Sequence, residues 1–426
     1  MSIVSEIRSL IKTLWQKGFV HLLSANVITL IFGFASQLFI AWILPPEDIG
    51  RIRIMQTWLG IFTIVAGLGF NVSVLKLCSE NRAPGELVYL YNKAIRYTLL
   101  AVIGTYLVMA GISALGVLSP DPVVNKYMFI FGISLLPLTI SAVYMSYIQA
   151  KQKIKLYSKI QVLTKLFAIM VIILLTWLYK LEGFVIAIVI GYFLTNVFLE
   201  RLIRKKINAG ITQTKTAAPL KLHWKYARYS LGAAITDTLG LGIDILLLNY
   251  LVSDRTEIGY YSFAITIIGI YRILPSTIWT MAAPHFSGKM DQAGEWVATY
   301  RKYNRLILIA SLVITSFSVL LIPFVLKYFL HGKYEQSGIY FILLVVAWGI
   351  RNMFVIKASV LFGMGKINYN FYSSLIYLIL SIILVPTLIL IIGVPGAAVG
   401  VVFCNLLAVH SVNHFFKKAV GITQLS

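Results

Sequence analysis

Residues 21–44 read HLLSANVITLIFGFASQLFIAWIL, a run without a single Asp, Glu, Lys or Arg. About 20 apolar residues in a helix cross the ~30 Å hydrocarbon core of a bilayer, so this run is long enough to span it. It is too long for the core of a signal peptide and reads as a retained segment. Comparable runs follow to the end of the chain. The predicted spans are His21–Leu44, Ile54–Leu77, Thr98–Leu118, Tyr127–Ala150, Val162–Tyr179 and Gly183–Leu202, then Tyr229–Val252, Tyr260–Pro284, Leu306–Phe329, Ile339–Met364, Phe371–Ile392 and Val394–Phe416. Only helices suit runs of this length, because a helix satisfies its backbone polar groups internally. A transmembrane barrel would show alternating segments of ~10 residues, and the sequence has none.

Composition agrees. Hydrophobic residues make up 59% of the 426-residue chain and charged residues 12%, with a mean hydropathy of +0.85. Soluble domains carry about 45–50% and ~25% respectively. Twelve spans leave only short connections and no room for a sizeable soluble domain.

The runs fall into two sets of six. Shifting the first set by 209 residues places Gly33, Ile49, Gly50, Gly60 and Ile61 on Gly242, Ile258, Gly259, Gly269 and Ile270, and Asp48 on Glu257. A shift of 213 places Lys153-Ile154 on Lys366-Ile367, Gly183 on Gly396 and Arg204-Lys205 on Lys417-Lys418. Loops and span ends stay in phase throughout. An even number of spans per half gives both halves one orientation. The expected fold class is therefore all-α and integral to the membrane, with twelve transmembrane helices in two six-helix halves related by a pseudo-two-fold axis along the membrane normal. The expected organisation is an amphipathic surface helix at 1–19, the N-terminal half at 20–202, a basic linker at 203–228, the C-terminal half at 229–416 and a tail at 417–426. In the first of these, Ile3, Val4, Ile7, Leu10, Ile11 and Leu14 recur at helical spacing among Arg8, Lys12 and Lys17.

The formal net charge of +22 invites a nucleic-acid reading, but its distribution argues for a membrane. With the N-terminus inside, the outer connections hold only Arg51, Arg53, Lys126, Lys180, Arg255, Lys327 and Lys333. The inner ones hold most of the rest, including the run from Arg201 to Arg228. This is the positive-inside bias, which places both termini in the cytoplasm, with anionic membrane lipids as partners of the basic face. Cys78 and Cys404 are lone cysteines with no disulfide or metal-site spacing. No phosphate-binding G-x-x-x-x-G-K-[ST], H-E-x-x-H or G-x-S-x-G motif is present, so neither enzymatic activity nor a cofactor is expected.

Charge inside a span costs about 2.5–3.5 kcal/mol on insertion scales, so each instance needs a reason. Asp237 and Asp244 lie in the seventh span, close to two helical turns apart and so on one face, with Gly240 and Gly242 between and beside them. They suit proton or monovalent-cation coupling, or else structural pairing with buried bases. Arg272 lies mid-way along the eighth span, three residues before Pro275, and Arg351 mid-way along the tenth, beside Trp348 and Asn352. Lys357 lies nearer the inner end of the tenth. Lys165 sits where its ammonium can snorkel to the interface, and Lys357 can do the same. Arg272 and Arg351 are too central for that. They either pair with the acids or line a water-filled cavity and receive phosphate oxygens, which an Arg fork binds bidentately. Pro137, Pro275, Pro323 and Pro386 interrupt spans, and shape alone accounts for them more readily than a hinge role.

After the first span, Leu44-Pro45-Pro46-Glu47-Asp48-Ile49-Gly50 resembles the L-x-P-E-x-[YFI]-G turn of polysaccharide-export flippases. The O-antigen (Wzx-type) members of that group belong to the multidrug/oligosaccharidyl-lipid/polysaccharide exporter superfamily. Gln149-Ala150-Lys151-Gln152-Lys153 resembles the small and basic turn that the family often shows after span four. The resemblance implies a V-shaped cavity lined by spans one, two, seven and eight, open alternately to each membrane face. It implies as substrate an undecaprenyl-diphosphate-linked oligosaccharide carried from the cytoplasmic to the outer leaflet of a prokaryotic inner membrane. It also implies working partners such as polysaccharide polymerase and chain-length machinery. A drug or cation antiporter of the same superfamily is the alternative. The short outer loops disfavour a glycosyltransferase. A major-facilitator sugar carrier would need a Gly-x-x-x-Asp-Arg/Lys signature where this chain reads Lys76-Leu77-Cys78-Ser79-Glu80-Asn81-Arg82.

Overall fold

The computed structural model describes residues 19–272, 274, 275, 286, 295–329, 332–364 and 366–420. The surface helix expected at 1–19, save its last residue, lies outside the described residues, as do residues 421–426 of the tail. Among the described residues every regular element is helical. In chain order they are α1 (Phe19–Ile43), α2 (Pro46–Gly67), α3 (Phe70–Ser79), α4 (Pro84–Ala114), α5 (Pro122–Gly132), α6 (Leu135–Ala150), α7 (Ile154–Leu202), a π-helical turn (Ile203–Ile207), α8 (Pro219–Leu251), α9 (Arg255–Tyr271), α10 (Glu295–Phe329), α11 (Ser337–Asn352), α12 (Val355–Gly363), α13 (Ile367–Ile392) and α14 (Val394–Val420).

Local chemistry sets the helix starts. Pro46, Pro84 and Pro122 occupy first-turn positions, where their missing N–H is no loss. Glu47 and Asp48 follow Pro46 and complement the positive end of α2. Asp121 caps α5 by accepting from Val123 N at 2.9 Å. Asp254 caps α9 by accepting from Thr256 N at 2.9 Å and Glu257 N at 3.3 Å. Pro137 falls in the first turn of α6, just past a 46° bend from α5, so this proline starts a helix rather than interrupting one.

Among the described residues, seven helices are long and apolar enough to cross a bilayer. The bent pairs α2–α3 and α5–α6 bring the number to as many as nine if each forms one span. The difference from twelve is instructive. At 49 residues α7 holds two predicted spans, and its helical angles fail at Tyr179 (φ −122°, ψ 15°) and Lys180 (φ 52°, ψ −131°). An unbroken helix of that length would reach ~74 Å, more than twice the hydrocarbon thickness. The chain reverses here, and a Cβ on Gly183 would overlap the backbone carbonyl of Leu175. Gly396, its match under the 213-residue shift, stands in the same relation to Leu388 at the turn from α13 to α14. Two turns that correspond in the repeat thus need glycine for the same steric reason. Exteriors are apolar: Leu100, Leu107, Met170, Leu312, Leu320 and Leu390 are exposed, as lipid-facing positions would be.

The chain divides into two compact units, Met1–Leu44 with Trp58–Ile235, and Pro45–Thr57 with Thr236–Ser426. In the first, Phe70, Val74, Tyr91, Ile140, Tyr144, Tyr147, Ile160 and Leu199 form a buried core. Tyr91 and Tyr147 stack with centroids 4.3 Å apart, and the Tyr147 hydroxyl donates to Asn208 Oδ1 at 2.9 Å. His223, fully buried at the start of α8, bridges Ser73 Oγ (2.8 Å) and the Leu90 carbonyl (3.0 Å), fastening α8 to α3 and α4. In the second unit, Trp296, Tyr300, Ile307, Ile356, Val360, Leu361 and Phe416 form the core of its α10, α12 and α14 region. Residues 45–57, read in sequence as part of the first half, pack with the second unit.

Candidate functional site

The second unit builds its polar centre from α8, α9, α11, α13 and α14. Gly240 lets α8 approach the ring of Tyr377 on α13, where a Cβ would come within 3.3 Å of the ring. Around that approach lies a cavity of about 210 Å³ lined by Asp244 (α8), Arg272 (after α9), Trp348, Arg351 and Asn352 (α11), Tyr377 and Ser381 (α13) and Asn405 (α14), with apolar residues between them. A neighbouring cavity of about 410 Å³ shares Gly240, Leu241, Arg351 and Tyr377 and adds Thr236, Asp237, Asn370, Ser373, Ser374, Phe354 and Phe362.

The first cavity contains one buried acid. Asp244 is 7% exposed, and it accepts from the Tyr261 hydroxyl at 2.7 Å and from Ile245 N at 2.9 Å. Arg53 and Arg272 both lie within electrostatic reach of its carboxylate. Arg351 is half-buried, its guanidinium 5.2 Å from the centre of the Tyr377 ring and 5.9 Å from that of Phe354. Cation–π attraction of this kind contributes about 0.5–2 kcal/mol and leaves the N–H edge open to a ligand. Two neutral donors complete the lining. Trp348 Nε1 and Asn352 Nδ2 are buried without a hydrogen-bond partner among the described residues, as is the acceptor Asn405 Oδ1. An unmet buried donor costs about 1–3 kcal/mol, so the two donors favour an occupant with acceptor oxygens.

Of the residues singled out in the sequence, the structure brings Asp244, Arg272 and Arg351 to the first cavity. Asp237 faces the second and is exposed, so the two acids of one helix face line adjoining cavities. Lys357 lines neither. Its ammonium donates to Asn413 Oδ1. Arg53 was missed, having been counted with an outer connection. It lies two turns inside α2, with Nε buried and without a partner among the described residues, within electrostatic reach of Asp244, Tyr261 and Arg272. Pro46 with Glu47 and Asp48 is a helix-start signal, and beginning the helix there would have placed Arg53 within it. In the sequence Trp348 and Asn352 stand out only as neighbours of Arg351, and Tyr261 and Asn405 carry no signal beyond their spans.

Residues 14–328 match the model of the family described as polysaccharide biosynthesis protein. The chain belongs to that family. A comparison with curated protein sequences returns no match. Among solved structures, the chain is similar to lipid II flippase MurJ in an inward closed conformation, with TM-score 0.77 and 13% identity over 93% of this chain and 87% of that one. It is also similar to a multidrug resistance MATE family transporter of the MOP superfamily in an inward-facing conformation, with TM-score 0.69 and 13% identity over 96% and 99%. A third is a MOP superfamily transporter from Pyrococcus furiosus, with TM-score 0.68 and 12% identity over 94% of each chain. At such identities the likeness is one of fold, and that fold is a multi-pass membrane transporter's.

Proposed function

We propose that this protein is an alternating-access flippase for an undecaprenyl-diphosphate-linked oligosaccharide, moving it from the cytoplasmic to the outer leaflet of the inner membrane. The observation that carries the reading is the donor-rich first cavity: Arg272 and Arg351 with Trp348 Nε1 and Asn352 Nδ2, and Arg53 nearby. Bidentate guanidinium and neutral N–H donors match the oxygens of a diphosphate. A cationic drug would meet two guanidinium groups for each buried carboxylate.

In this reading Asp244, held by Tyr261 in reach of Arg53 and Arg272, exchanges a proton or monovalent cation as phosphate arrives and leaves, and Asp237 takes part from the second cavity. Lys357 serves as a basic contact for the substrate at the inner end. The membrane arrangement goes with it: twelve spans, with α7 counted as two and both termini cytoplasmic. The two six-helix halves are related by an axis along the membrane normal, a symmetry supported by the shared steric role of Gly183 and Gly396. The basic linker and tail then lie on anionic lipid, within reach of polymerase and chain-length machinery. The second reading, a cation or drug antiporter, draws on the MATE likeness and on the exposed carboxylate of Asp237.

Vesicles holding the purified protein and a fluorescent lipid-linked oligosaccharide in one leaflet test this. The expected result is appearance of the label in the opposite leaflet faster than in protein-free vesicles. Absence of that transfer together with gradient-driven efflux of cationic dyes would establish the antiporter instead.

A further inference from the structure

The second cavity is the larger of the two and differs in chemistry from the first. At about 410 Å³ it is far larger than one ion and its ligands require, given the ~30 Å³ share of a water molecule, and it lies within the 300–1,000 Å³ range of small-molecule sites. Its polar groups are mostly short and neutral: Thr236, Asn370, Ser373 and Ser374. Asn370 spends its Nδ2 on the Ala358 carbonyl at 3.0 Å, which leaves Oδ1 as an acceptor. Ser373 donates to the Tyr369 carbonyl at 2.9 Å and keeps its lone pairs. The rings of Phe354 and Phe362 also line the cavity. Arg351, held over Phe354 and Tyr377, belongs to the wall shared with the first cavity.

We infer that this second cavity is the saccharide subsite, holding the first sugar ring of the lipid-linked substrate while Arg351 holds the adjoining phosphate. A pyranose has a rim of hydroxyls that donate and accept, and two faces of C–H groups. The hydroxyl and amide side chains of the lining match the rim, and its apolar rings match a face. The phosphate and the first sugar are covalently adjacent in such a lipid, as the two cavities are adjacent across Arg351. Asp237 faces the same space, so a sugar bound there would sit against a proposed coupling residue. The variants below leave that residue intact.

The inference rests on the lipid-linked-substrate reading, and the test separates the two. Affinities of the purified full-length protein for undecaprenyl diphosphate and for undecaprenyl-diphosphate-N-acetylglucosamine are measured side by side. The wild type is expected to prefer the glycosylated lipid by about tenfold or more. Asn370→Leu and Ser374→Val should each bring that ratio toward one while leaving affinity for the sugar-free lipid within about twofold. Because the Asn370 amide also ties α13 to Ala358, Ser374→Val, which leaves that tie in place, guards against a loss of fold. Equal weakening of both lipids by Ser374→Val, or an unchanged ratio in both variants, overturns the saccharide site. A wild type that binds neither lipid overturns the lipid-linked reading itself, and this inference with it.

Discussion

Gly50 on α2 and Gly259 on α9 meet backbone to backbone within the second unit: a Cβ on Gly50 would stand 3.1 Å from the Gly259 nitrogen, and one on Gly259 would overlap the Pro46 carbonyl. The two are matched by the 209-residue shift, so a residue and its own repeat counterpart are in contact. The approach seats residues 45–57, and with them Arg53, against α9. Thr256 Oγ1 donates to Glu47 Oε1 at 3.1 Å alongside.

Gly259→Ala is therefore expected to destabilise the protein by about 1–3 kcal/mol, since backbone on both sides must shift. Gly50→Ala should cost less. Gly104→Ala and Gly111→Ala on α4, where a Cβ meets nothing within 4 Å among the described residues, should stabilise by up to ~1 kcal/mol through helix propensity. Thermal unfolding of the detergent-purified variants checks the order.

Arg272→Ala and Arg351→Ala should each lower export by about tenfold or more, because a charge-assisted hydrogen bond contributes about 1.5–3 kcal/mol. Membrane levels should stay normal, since neither residue belongs to an apolar core cluster. Arg351→Lys should recover only part of the loss: an ammonium keeps the charge but neither the fork nor the stacking on Tyr377 and Phe354. Lys357→Ala, outside both cavities, should be the mildest. Wild-type translocation of a defined lipid-linked sugar in vesicles by Arg272→Ala and Arg351→Ala would dismiss the diphosphate site.

What could be read in the sequence follows the physics of each signal. Helices were legible because long uncharged runs have one solution in a bilayer, and the repeat was legible in glycines such as Gly183 and Gly396 that backbone contact demands. Asp244, Arg272 and Arg351 stood out because charge in an apolar run is costly. Arg53 did not, because it lies where an outer connection and a helix start look alike until the Pro46 signal is weighed. Trp348, Asn352 and Asn405 were illegible: a tryptophan or asparagine in a span is common, and only the cavity shows its polar atom unmet. The reversal at Tyr179–Lys180 was visible only as a gap between two apolar runs.

For the acid, Asp244→Asn keeps the acceptor for Tyr261 and Ile245 but removes the exchangeable proton. Transport by this variant should no longer respond to an imposed pH gradient, and its rate should settle near that of wild type without a gradient. Tyr261→Phe removes the 2.7 Å bond while leaving the carboxylate, so gradient dependence should persist with its pH profile displaced. Translocation by wild type that ignores both proton and sodium gradients would dismiss coupling altogether.

Trp348→Phe separates a ligand role from a structural one. The indole N–H is buried and unmet among the described residues, while the ring packs on Tyr271 with centroids 5.4 Å apart. Phenylalanine keeps most of that packing and removes the donor. If the N–H serves only the fold, its loss lowers the unfolding temperature and leaves substrate affinity alone. If it awaits phosphate oxygens, stability should hold or rise, because an unsatisfied polar group costing about 1–3 kcal/mol is gone. Affinity should then fall by about five- to tenfold, the worth of one hydrogen bond to a charged acceptor. Opposite movement of stability and affinity in one variant is the outcome a packing role cannot produce, because packing loss drives both down together.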